Sequence, residues 1–144
     1  MAVFRRAERR DRARVLSLWE QAGLERTEDD EWEALVAGPH NLVLLAQEGD
    51  AIAGTVVATF DGWRAYIYHV AVAAESRQRG LGRELMAAAE AHLRDSGARR
   101  VFLEVHQDNT AGLALAAVAG YLPEGDIVLE KEINAEATGS RTAW

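Results

Sequence analysis

The stretch Ala65-Tyr66-Ile67-Tyr68-His69-Val70-Ala71-Val72, followed closely by Arg77-Gln78-Arg79-Gly80-Leu81-Gly82-Arg83, decides how this chain is read. The first eight residues are apolar, aromatic and β-branched, the composition of a strand. The amphipathic segment 81–93 predicts a helix. A strand, a loop with two glycines and a helix N-terminus together form a ready anion site. The first helical turn has backbone N–H groups without intrahelical partners, and the helix dipole adds positive charge there. Gly80 and Gly82 lack the Cβ atoms that would keep a phosphate from the backbone. Arg77, Arg79 and Arg83 add full charges, so residues 77–82 read as a pyrophosphate cradle with Arg83 on its flank.

Working outward, the 144 residues suit one domain with a real core, and 49% of them are apolar. With no cysteine, disulfides, thiolate zinc sites and cysteine nucleophiles are excluded. The N-terminus lacks the apolar segment of a signal peptide and no run is long enough to span a bilayer, so a cytoplasmic protein without a membrane partner is expected. A net charge of −7 argues against nucleic acid as a partner. The early cluster Arg5, Arg6, Arg9, Arg10, Arg12 and Arg14 reads as a solvated face. An acidic chain with one basic pocket suits an anionic cofactor meeting a cationic substrate. The histidines show no metal-ligand spacing, and no metal is expected.

The remaining elements follow from periodicity and turn signals. Residues 3–7 predict a short strand, Asp11 an N-cap for a helix carrying Val15, Leu18 and Trp19, and 28–37 a second helix. Gly49-Asp50 is a hairpin signal between strands at 41–48 and 51–60, and Asp61-Gly62 turns the chain into 65–72. Residues 100–105 predict a strand that closes a right-handed β-α-β crossover. Residues 109–119 predict a helix, and Tyr121 and 127–131 closing strands. The expected architecture is a mixed α/β sheet in three layers: antiparallel N-terminal strands, then the crossover, in one domain over 1–133 with a polar tail over 134–144.

In this setting the residues resemble the GNAT N-acetyltransferase superfamily over nearly the whole chain. Arg77, Gly80 and Gly82 fill the defined positions of its Gln/Arg-x-x-Gly-x-Gly/Ala motif between the fourth strand and the next helix. Leu103-Glu104-Val105-His106-Gln107-Asp108-Asn109 is similar to its fifth strand and the Asn that begins the following helix, and Gly120-Tyr121 to the pair that ends it. Phe60-Asp61-Gly62-Trp63-Arg64 looks like a small bacterial, YpeA-like branch. The resemblance implies acetyl-CoA as co-substrate, with main-chain groups of Val70, Ala71 and Val72 along the pantetheine. It also implies the pyrophosphate on 77–82 and Asn109 near the sulfur. The fourth and fifth strands would splay to admit the acyl group, and a neutral amine on a small molecule, peptide or protein would attack the thioester directly.

One position departs from the family. The Tyr commonly found seven residues after the Asn, held to protonate the leaving thiolate, is Ala116 here. With a thiol pKa of about 8.5 the loss should cost rate, on the order of the 10²–10⁴ ascribed to general acid–base catalysis, rather than abolish reaction. Tyr121, Tyr68 or water could replace it. Glu104 is the candidate base, against the plain alternative of a carboxylate salt-bridged at a strand end. Tyr68 and His106 are candidate acceptor contacts; for Tyr68 the alternative is core packing and for His106 simple exposure. Strict alternation puts Tyr66, Tyr68, Val70 and Val72 on one strand face and Ile67 and His69 on the other.

Three functions fit: an N-acetyltransferase, an acyl-CoA-binding module with weak or lost catalysis, and an unrelated phosphate-binding α/β domain. The third lacks a P-loop lysine and a full dinucleotide fingerprint. A homodimer is compatible with an open-edged sheet.

Overall fold

The computed structural model describes residues 2–134. The expected tail over 134–144 therefore lies outside the described residues except for Asn134. The elements run β1 (Val3–Arg6), α1 (Arg12–Gln21), α2 (Asp29–Ala37), β2 (Leu42–Glu48), β3 (Ala51–Phe60), β4 (Ala65–Val72), α3 (Leu81–Asp95), β5 (Val101–Leu103) and α4 (Thr110–Val118). The five strands form one sheet in chain order. All neighbours are antiparallel except β4 and β5, which are parallel. The mixed three-layer α/β arrangement expected from the sequence is present.

Each sheet face buries a different helix layer. On one face Leu81, Leu85, Ala89 and Leu93 of α3 pack on Leu44, Val56, Ala58 and Ile67. On the other, Val15, Leu18 and Trp19 of α1 and Trp32 of α2 pack on Val43, Leu45, Val57 and Ala71. The two indoles meet edge to face with centroids 6.1 Å apart.

Four expectations need correction. First, the N-terminal arginines do not form one solvated face: Arg6, Arg9, Arg10 and Arg14 are exposed, as expected, while Arg5 and Arg12 are half-buried and structural. Asp11 does not cap α1 with its side chain. Instead its buried carboxylate takes a two-pronged grip from Arg5 (both contacts 2.8 Å), accepts the Glu8 N–H at 2.7 Å and pairs with Arg14 at 3.3 Å. Arg12 reaches Asp29 and the Thr27 carbonyl, and Arg9 pairs with Glu33.

Second, β4 does not alternate strictly. His69 sits at φ 51° and the β3–β4 register shifts between Thr55 and Val57, the signature of a bulge with one extra residue in β4. The side chains change faces there. Tyr68 and Ala71 lie on the α1/α2 side, whereas Ile67, Val70 and Val72 lie on the α3 side. Third, β5 is only three residues long, ending before Glu104. Fourth, no strand forms over 121–134 among the described residues, and the sheet ends at β5. Ile127, Val128 and Leu129 look strand-like by composition yet are exposed, with no paired neighbour to hold them in a ladder.

Candidate active site

The residues of the expected cradle form a loop and the start of α3. After β4 a short 3₁₀ turn at Ala74–Ser76 leads into the loop, where Gln78 (φ 62°) and Gly80 (φ 78°) both adopt left-handed backbone. Gly80 is the N-cap of α3 and supplies no side-chain cap, so no side chain screens the first-turn amides. A Cβ at Gly80 would project into open space. At Gly82 a Cβ would stand 3.3 Å from Leu115 Cδ2, which places α4 beside the start of α3. Leu81 is buried among the α3 core residues, so it can serve the cradle only through its backbone.

The loop arginines are not equivalent. Arg77 Nε donates to the Val72 carbonyl at 3.2 Å. Arg79 is turned onto Glu48 at the end of β2 (2.9 Å), whose carboxylate also accepts from Ser76 Oγ at 3.0 Å. These contacts, Arg79 first, hold Glu48 below the usual carboxylate range. Arg83 is exposed on the first turn.

Beyond the cradle, β4 and β5 part company. They pair only over Ala65–Val101, Tyr66–Phe102 and Ile67–Leu103, and one more bond runs from the Glu104 N–H to the Ile67 carbonyl at 3.1 Å. The Tyr68–Val72 end of β4, with the backbone of Val70, Ala71 and Val72, has no β5 partner.

The bulge that begins there is braced. Trp19 Nε1 donates to the buried Thr55 Oγ1 at 2.9 Å, and Thr55 Oγ1 donates to the His69 carbonyl at 3.2 Å. His69 Nε2 lies 2.8 Å from the Glu25 carbonyl in the α1–α2 connection, and its ring meets Trp19 edge-on at 4.6 Å. His69 is thus a satisfied sheet histidine. Nothing in the strict alternation of the sequence announced the bulge; a non-glycine residue at positive φ leaves no compositional trace.

Next to the splay, Thr59, Tyr66, Tyr68 and Glu104 line an open pocket of about 260 Å³. Glu104 is exposed at its rim rather than buried in a strand. Burial pushes the Tyr68 hydroxyl up, a hydrogen bond with Thr59 works the other way, and the Glu104 charge adds to the rise. Thr59, paired with Tyr66 across β3–β4, is a pocket residue that sequence reasoning missed. The β3–β4 hairpin register, had it been counted back from the Asp61-Gly62 turn, would have found it.

The other expected site residues lie elsewhere. Asn109 is the N-cap of α4, its side-chain oxygen accepting the Gly112 N–H at 2.9 Å. His106 is exposed, and its Nδ1 accepts the Asp108 N–H at 3.1 Å. Ala116 is buried on α4, and its carbonyl accepts the Tyr121 N–H at 2.9 Å, part of the C-terminal turn around Gly120 (φ 94°). Tyr121 is not brought to Glu104. Its hydroxyl donates to Glu90 of α3 at 2.5 Å in a separate cleft with Arg94 and Arg99, and burial and the Glu90 carboxylate drive its pKa well above the usual range.

A strand leading into a glycine-bearing loop, a parallel strand that splays from it and a pocket in the splay are the arrangement that the resemblance to the GNAT superfamily implies. Comparison with known proteins gives the same class. The family model of the acetyltransferase (GNAT) family matches residues 6–121, and the chain belongs to that family of acyltransferase enzymes. It is 29% identical over 122 residues to Acetyltransferase YE1169 of Yersinia enterocolitica, spanning 83% of this chain and 86% of the relative. Among solved structures it resembles a predicted acetyltransferase with acetyl-CoA from Clostridium acetobutylicum (TM-score 0.75, 16% identity, 97% and 100% of the two chains). It also resembles an aminoglycoside acetyltransferase from an uncultured soil metagenomic sample in complex with sisomicin (TM-score 0.72, 18% identity, 91% and 95% of the two chains). No helix among the described residues is long and apolar enough to cross a membrane.

Proposed function

We propose that this acetyltransferase moves acetyl from acetyl-CoA to a primary amine by direct attack in a ternary complex, at the pocket of Tyr68 and Glu104. The observation that carries this reading is the placement of that pocket where β5 leaves β4, beside the end of β4 that has no β5 partner and leads into the cradle. The first-turn amides of Leu81, Gly82 and Arg83 suit the pyrophosphate, with Arg77 and Arg83 supplying charge and Arg79 shaping the loop through Glu48. The free end of β4 suits an extended pantetheine lying along it. Asn109 acts on the site by fixing the start of α4.

In this reading Glu104 takes the proton from the attacking amine, directly or through a water, and held proximity supplies much of the rate. Tyr68, which lines the pocket with Glu104, stands in for the acid missing at Ala116 in this reading. Tyr121, committed to Glu90, is a tether between α3 and the chain after α4. The binding-module alternative differs only in having no amine-dependent turnover.

The Glu104→Gln variant tests the base. It should lower kcat/KM more at low pH, where the acceptor amine is protonated, than at high pH, where free amine is abundant. A wild-type to variant ratio that stays flat across the pH profile would remove Glu104 from the role.

A further inference from the structure

Extending the β4–β5 register one residue back from Ala65–Val101 sets Arg64 beside Arg100, and one residue on from Ile67–Leu103 sets Tyr68 beside Glu104. The open face therefore carries three rows: Arg64 with Arg100, Tyr66 with Phe102, and Tyr68 with Glu104. The middle row is an aromatic floor, its rings 5.4 Å apart. The Arg64 guanidinium lies over Phe102 at 5.2 Å and over the exposed Trp63 at 5.0 Å, which sets it at the end of the floor away from Glu104.

The two arginines differ in what occupies them. Arg100, 5.0 Å above Phe102, is paired with Glu124 at 3.3 Å. Arg64 has no ion pair among the described residues. The nearby Asp61 carboxylate, though it feels the Arg64 charge, accepts the backbone N–H groups of Trp63 and Arg64 at 2.8 and 2.7 Å. That grip also holds the turn bearing Arg64 in place. At the other end the anionic group is Glu104, with His106 and Asp108 beyond it.

We infer that the acceptor is an amine carrying a carboxylate on the order of 10 Å from its nitrogen, the two to four residues of strand rise between the rows, and that Arg64 receives that carboxylate. The amine faces Glu104, an apolar linker crosses Tyr66 and Phe102, and the carboxylate meets the stacked guanidinium fork. A polycation would place its second charge against Arg64 and Arg100. This inference rests on the reading that transfer takes place at the Glu104 end.

The test uses 8-aminooctanoate, octylamine and 1,8-diaminooctane. Each is titrated calorimetrically into the CoA-bound protein and assayed for thiol release from acetyl-CoA, with wild type, Arg64→Gln and Arg64→Lys; matched thermal midpoints confirm folding. Wild type should prefer 8-aminooctanoate over octylamine about fivefold or more in both readouts, with the diamine last. In Arg64→Gln the aminooctanoate-to-octylamine ratio should fall to about one, and Arg64→Lys should restore part of it. Arg64-dependent binding of 8-aminooctanoate without thiol release from any of the three compounds leaves the carboxylate site at Arg64 standing and overturns the assignment of its ligand as the acetyl acceptor. A preferred diamine, an unchanged ratio in Arg64→Gln, or no binding of 8-aminooctanoate overturns it.

Discussion

Replacing Gly82 with tryptophan should lower CoA affinity at least a hundredfold. Gly82 lies in the first turn of α3, behind an N-cap that offers no side chain, and the amides of that turn are the donors proposed for the pyrophosphate. Hydrogen bonds to a charged group are worth about 1.5–3 kcal/mol each, so loss of two gives roughly two to four decades in Kd. A large side chain at 82 also meets Leu115, so folding must be controlled for. The Gly82→Ala variant does this: its Cβ meets the flexible end of Leu115 at 3.3 Å and Val72 Cγ2 at an ordinary 3.8 Å, and it should keep affinity within about threefold. Calorimetry with CoA on both variants, beside their thermal midpoints, is the check. Unchanged affinity in a folded Gly82→Trp protein would refute the cradle.

Replacing Asp11 with alanine should destabilise the fold by about 3 kcal/mol, the lower end for removing one partner of a buried pair. The carboxylate is 1% exposed and binds Arg5, Arg14 and the Glu8 N–H, so its loss releases β1 from the start of α1 and leaves the Arg5 fork without its acceptor. The interaction also sets an acid limit. The Arg5 hydrogen bonds hold the Asp11 carboxyl well below the usual carboxylate range, outweighing the effect of burial. A depressed folded pKa means the stabilisation is complete above the unfolded value of about 3.9 and is lost as pH falls below it toward the folded value. Denaturant unfolding at neutral pH and through the acid range checks both points. Asp11→Asn should be less stable than wild type at neutrality, with a gap that narrows steadily below about pH 4. A constant gap would assign the cost to packing alone.

Where local chemistry and tertiary structure agree, the sequence was easy to read. Gly49 and the Asp61-Gly62 turn set the β2–β3–β4 meander. The apolar spacing of Leu81, Leu85, Ala89 and Leu93 set α3, and Gly80 with its positive φ set where it starts. What was missed depended on partners in other elements. Asp11 looked like a helix cap because caps are local, whereas its acceptor role needs Arg5 on a neighbouring strand. The run at 127–131 looked like a strand because composition cannot say whether a neighbouring edge is available. The His69 bulge was invisible because its support comes from Thr55, Trp19 and Glu25, in other elements. That bulge moved Val70 off the face of Tyr68, so Tyr68 and Glu104 remained a pocket pair while the cradle side of β4 turned toward α3. Tyr121 was a candidate acid by its place in the chain, and only Glu90 on α3 shows where its hydroxyl goes.

In the proposed reaction the cradle-bound thioester is spent on an amine at the Glu104 pocket. The most direct measurement is thiol release from acetyl-CoA over a panel of primary amines, with mass spectrometry of the acceptor. The expected result is amine-dependent release above the hydrolysis blank, a mass gain of one acetyl group on the amine nitrogen, and loss of both in Gly82→Trp. CoA binding by a folded protein with no amine-dependent release from any member of the panel would contradict it and leave a binding module.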